Sequence, residues 1–93
     1  MARVEQEYAK LDLRFSRGDS FVFRVTFPFV ISVSDIEAKI SDVDFTLSQI
    51  NSYCIALSLT PTQTEDLKGG NWYLKATTSG LTRTYLKGFY QSI

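Results

Sequence analysis

From Lys10 onward the apolar residues of this chain fall on alternate positions, in short runs separated by polar clusters, glycines and prolines. A period of two is the signature of a half-buried strand, because successive side chains point to opposite faces. A chain built from such runs needs a second layer to cover each apolar face, so the pattern predicts sheets stacked on one another.

Leu11, Leu13 and Phe15 alternate with Asp12, Arg14 and Ser16, and predict a first strand. Arg17-Gly18-Asp19-Ser20 is a turn-like cluster, beyond which Phe21, Phe23, Val25 and Phe27 alternate with Val22, Arg24 and Thr26. The two runs read as a β-hairpin or as a strand with a bulge. Pro28 must end the second run, since proline cannot donate to a ladder. Ile36, Ala38 and Ile40 predict a further strand, Asp42 to Asp44 a turn, Phe45 to Leu47 a short strand, and Ser48 to Ser52 another turn.

Tyr53, Ile55, Leu57 and Leu59 form the most regular alternation and predict a central strand covered on both faces. Thr60-Pro61-Thr62-Gln63 then combines an N-cap threonine, proline at the first helical position and glutamine three residues after the cap. These start a helix by satisfying backbone N–H groups that have no partner within it. The helix is expected over residues 61–68, stopped by Gly69-Gly70. Trp72, Leu74 and Ala76 begin a last hairpin that turns at Ser79-Gly80 and returns through Leu81 to Ile93. The expected architecture is all-β: a small antiparallel β-sandwich, immunoglobulin-like or a partly open barrel, with one short helix. Residues 10–93 form a single domain preceded by an N-terminal arm, 1–9.

The 93 residues carry ten Lys and Arg against ten Asp and Glu, with neither sign clustered. That balance argues against nucleic acid or an anionic membrane as partner. No apolar run approaches the length of a bilayer span, and the opening residues lack a signal-peptide pattern, so folding in a reducing cytoplasm is expected. Cys54 is the only cysteine and reads as a small strand side chain. Histidine is absent, which removes the commonest general base and metal ligand. Asp42 with Asp44, and Glu65 with Asp66, lack the ligand number of a calcium loop. Gly69-Gly70 leads into a strand, without the lysine and helix of a phosphate loop. Arg17-Gly18-Asp19 matches the tripeptide of integrin ligands, and a turn explains it more simply. The expectation is a protein that is not an enzyme and has no cofactor or metal.

Seven Phe, five Tyr and one Trp are accounted for chiefly by core filling, as for Phe15, Phe21, Phe23 and Trp72. The exception is Phe27-Pro28-Phe29-Val30, apolar through a turn that would ordinarily be polar, which predicts contact with another subunit. Phe27, Phe29 and Val30, with Val4 and Tyr8 of the arm, are the expected partner interface.

The segment Leu11-Asp12-Leu13-Arg14-Phe15-Ser16-Arg17-Gly18-Asp19-Ser20-Phe21 resembles the opening of small β-sandwich structural proteins of tailed bacteriophages. Ile55 to Pro61, Gln63-Thr64, Leu67, Gly70, Trp72 and Tyr73 are similar to their "strand, Leu-Thr, short helix, Gly, aromatic strand" segment, and the hairpin near Leu86-Lys87-Gly88 to their closing element. The resemblance departs at Phe27 to Val33, where those proteins tend to have a polar turn. It implies a virion structural protein of the tail, baseplate or fibre-attachment apparatus, assembled in the host cytoplasm, in several copies, with other virion proteins as partners. Rival readings are a capsid decoration protein and a carbohydrate-binding module stacking sugars on Trp72, Tyr73 and Tyr85. The sugar reading needs those rings exposed; the assembly reading expects Trp72 to be buried.

Overall fold

The computed structural model describes residues 9–93. Two sheets face each other. One holds β1 (Ala9–Lys10), β2 (Leu13–Phe15), β4 (Ile36–Ile40), β5 (Val43–Asp44), β8 (Gly70–Thr78) and β9 (Leu81–Ser92). Its order is β1-β9-β8-β4-β5, with β2 also on β9. The other holds β3 (Phe21–Thr26), β6 (Thr46–Asn51) and β7 (Cys54–Leu59), in the order β3-β7-β6. A 3-10 turn spans Val33–Asp35, and helix α1 spans Pro61–Glu65. The separation into two sheets makes the fold an all-β sandwich.

The expected hairpin around Gly18 does not form. Phe21 to Thr26 pair with β7, while Leu13 to Phe15 pair in parallel with Tyr90 to Ser92 on the opposite sheet. Ala9 and Lys10 also run parallel to β9, so this sheet is mixed where antiparallel pairing was expected. The turn at Gly18 (φ +83°) therefore carries the chain across the sandwich. It is fastened to α1: the Gly18 N–H donates to Thr64 Oγ1 at 3.1 Å, and that hydroxyl lies 2.7 Å from the Asp19 carbonyl oxygen.

Ser48 to Asn51, expected as a turn, continue β6, held by pairing with β7 although Ser48, Gln49, Ile50 and Asn51 are all exposed. The capping box is present as predicted: Thr60 Oγ1 accepts from the Gln63 N–H (3.2 Å) and Gln63 Oε1 from the Thr60 N–H (2.9 Å). The helix ends earlier than residue 68, because Leu67 turns into the core. At Ser79-Gly80 both central residues take positive φ (+53° and +79°), the geometry that joins β8 to β9 without splaying them.

The core is aromatic. Trp72 meets Phe23 edge-on at 5.6 Å between centroids, Phe45 packs against both, and Phe15 stacks on Tyr90 at 5.9 Å. Ile55, Leu57 and Leu74 are fully enclosed, and β7 is buried at five of its six positions, as its sequence predicts.

Candidate functional site

Among the described residues no group of three or more His, Cys, Asp or Glu side chains is arranged to hold a metal. Asp44 pairs with Lys39 at 3.8 Å, and Cys54 is buried.

The three rings of the sugar reading go to three different environments. Trp72 is 1 % exposed, its indole N–H donating to the Leu11 carbonyl at 2.7 Å. Tyr85 packs inward on Phe27 and Phe29. Tyr73 alone faces outward and donates its hydroxyl to Glu37 at 3.2 Å. Its phenol is held above the ordinary tyrosine range, first by burial and then by the Glu37 hydrogen bond and charge.

The apolar loop after Pro28 is only in part a surface. Phe27 is 4 % exposed and belongs to the core, which corrects its assignment to the interface. Phe29 is half-buried, 5.5 Å from Phe27 and 5.6 Å from Tyr85 between centroids. Val30 is 66 % exposed, and Ile31 turns back into the core. The loop is apolar because it closes one end of the sandwich. Its backbone is tied to the β6–β7 hairpin by Phe27 N–H to the Tyr53 carbonyl (2.7 Å) and Ile31 N–H to the Ser52 carbonyl (2.8 Å). Gln49 bridges the two, donating to the Ile31 carbonyl and accepting from the Val33 N–H, both at 3.0 Å. Val4 and Tyr8 lie outside the described residues.

The outer faces of the two sheets differ in chemistry. On the three-stranded sheet, Val22, Thr26, Thr46, Ser48, Ala56 and Ser58 point outward around one cation, Arg24. Beyond β3 on one side and β6 on the other, no further strand is paired among the described residues. On the six-stranded sheet, Lys10, Lys87, Tyr73, Lys39 and Asp44 lie in one register row across five strands. Phe89, 58 % exposed, and Asn71 form the next row, and the two rows bound a shallow groove. The Lys10 ammonium sits 5.6 Å from the Phe89 ring centroid, and the Lys75 ammonium 4.9 Å from that of Tyr73. Sequence reasoning missed this groove, because register brings Lys10 beside Lys87 and Phe89.

No family model and no curated protein matches the chain. Among solved structures it is similar to the titin M3 domain. That likeness has a TM-score of 0.54 at 14 % identity, over 91 % of this chain and 90 % of that one. It shows the fold alone: an immunoglobulin-like sandwich. The strand orders agree with that architecture, β3-β7-β6 standing for the B-E-D strands and β9-β8-β4 for G-F-C. Here the first strands lie beside β9, and Cys54, unpaired on β7, makes no inter-sheet disulfide.

Proposed function

We propose that this chain is a structural domain of a phage virion, a tail, baseplate or fibre-attachment component that acts by assembly with other virion proteins, without catalysis. The reading takes its virion context from the likeness of Leu11 to Phe21 and Ile55 to Tyr73 to small phage sandwich proteins. The observation that carries the assembly part is the three-stranded sheet. Its flanks on β3 and β6 bear no further strand among the described residues, and its outer face carries Arg24 as its single charge. Strand edges with open N–H and C=O groups are templates for pairing with another chain, and proteins that stay apart guard them with charge or proline. β6 has neither, reading Thr46-Leu47-Ser48-Gln49-Ile50-Asn51. Burial of Trp72 argues against a sugar platform, which needs that ring in solvent. Electron microscopy of purified particles carrying a tagged copy tests the reading. Label at the tail, baseplate or fibre base is expected. Label confined to the capsid shell would favour decoration, and particles without label would overturn the assignment.

A further inference from the structure

The flank of β3 that faces away from β7 is open along its length among the described residues. The Phe27 N–H donates to the Tyr53 carbonyl, one step beyond a β3–β7 ladder that runs from Phe21 beside Leu59 to Thr26 beside Cys54 without a shift. Antiparallel pairs alternate, so Phe21, Phe23 and Val25 turn their backbone groups to β7, and Val22, Arg24 and Thr26 turn theirs to the open side. The side chains repeat the signal. Phe21, Phe23 and Val25 face the core yet stay only half-buried, whereas their partners Leu59, Leu57 and Ile55 on β7 are enclosed. An immunoglobulin-type sheet of this order carries one more strand on that flank, but here the first strands lie on β9. On the outer face Arg24 is exposed and, among the described residues, has no ion pair or hydrogen bond.

We propose that this flank takes an extended segment of a neighbouring virion protein as an added strand beside β3, with a carboxylate against Arg24 and apolar side chains over Phe21, Phe23 and Val25. The inference rests on the assembly reading and names the edge and its partner chemistry. Backbone pairing supplies the affinity of an added strand, and the side-chain pattern supplies the choice of partner. Arg24 makes that choice: its guanidinium, central in the open row, pairs with a carboxylate across the ladder and repels a cation there. The same charge disfavours a second copy joined β3 to β3, which in the register centred on Arg24 would set two guanidinium groups face to face. The β6 edge has no charge with which to select.

The test uses the whole chain and short capped peptides that alternate valine and threonine, with one central aspartate or one central lysine. Amide hydrogen exchange and chemical shifts are followed. The aspartate peptide is expected to slow exchange at Val22, Arg24 and Thr26, while Phe21, Phe23 and Val25, already bonded to β7, change little. The lysine peptide should bind about threefold to tenfold more weakly. Arg24→Gln should abolish that preference and Arg24→Glu reverse it, each with an unchanged melting curve showing that the variant is folded. No protection at those amides, protection at β6 instead, or the parent's preference in both variants would overturn the proposal. So would peptide-free protein that sediments as a dimer with Val22, Arg24 and Thr26 already protected, since a second copy would then hold the edge. Particle incorporation separates this idea from the one beneath it. Wild-type protein missing from particles sinks the assembly reading. Wild-type incorporation with normal incorporation of Arg24→Glu sinks the added strand alone.

Discussion

The carbonyl of Leu11 lies directly against the α-carbon of Gly88, so a side chain at Gly88 would press on the Leu11 carbonyl carbon at 2.8 Å and on Asp12 Oδ1 at 2.9 Å. The approach is close because β1 and β2 follow β9 in one register: the Leu11 N–H still donates to the Lys87 carbonyl at 3.1 Å, while the Leu11 carbonyl and Asp12 turn out of the ladder. The freed Leu11 carbonyl accepts the Trp72 indole N–H, and Asp12 accepts the Phe89 N–H. One glycine thus lets the first strand lie on the sheet and gives the buried indole its partner.

Gly88→Ala is expected to destabilise the fold by about 1 to 3 kcal/mol, the usual cost of forcing atoms into filled space. It should also shift the emission of the single tryptophan as Leu11 moves away from the indole. Chemical denaturation with fluorescence reads both effects. Unchanged stability and an unchanged spectrum would show that the first strand can yield freely.

Thr64 fastens the crossover turn to the helix. It is fully buried, and its hydroxyl accepts from Gly18 and lies within hydrogen-bonding distance of the Asp19 and Pro61 carbonyls. Thr64→Val keeps the shape and strands the Gly18 N–H, at a cost of about 1 to 3 kcal/mol. Thr64→Ser retains the hydroxyl and should recover much of that loss. Equal stability of the valine and serine variants in urea would remove the hydroxyl from the account.

The contrast between these two sites shows what local pattern could reveal. Thr60, Pro61 and Gln63 announce the helix because a capping box is made by neighbours in sequence. Alternation likewise places β3, β4, β7 and β8, since one apolar face per strand must be buried. Pairing across the chain leaves no such mark. Leu13 to Phe15 look like half of a hairpin with Phe21 to Thr26, yet their partners are Tyr90 to Ser92. Ser48 to Asn51 look like a turn because an edge strand exposed on both faces needs no apolar residue of its own. The groove was hidden for the same reason: Lys10, Tyr73 and Phe89 become neighbours only through the register of β1, β8 and β9.

Alkaline pH should weaken the fold through Tyr73. Burial, then the Glu37 hydrogen bond and charge, raise its phenol above the ordinary value of 10.0, so folding favours the protonated form. With a folded value above the unfolded one, this stabilisation is complete below pH 10 and is lost as pH rises through the folded value. Tyr73→Phe should therefore remove a tyrosinate absorbance component that appears above the ordinary tyrosine value, and the alkaline decline of stability should flatten. An identical titration in the variant would contradict the assignment.

The loop after Pro28 gives the sharpest test of core against contact. From sequence, Phe29→Asp should leave the monomer folded and block assembly, because the whole apolar turn reads as interface. In the structure the Phe29 ring is half-buried against Phe27 and Tyr85 at the end of the sandwich, while the Val30 side chain is exposed. Phe29→Asp is expected to cost about 2 to 4 kcal/mol, from the lost ring and the carboxylate forced among apolar neighbours. Val30→Asp should stay within about 0.5 kcal/mol of the parent, as surface substitutions usually do. Circular dichroism during denaturation, paired with particle incorporation, distinguishes the roles. A folded Val30→Asp that no longer enters particles would place the contact at Val30. If Phe29→Asp proved as stable as the parent, the ring would not be part of the core, and the interface would again include it.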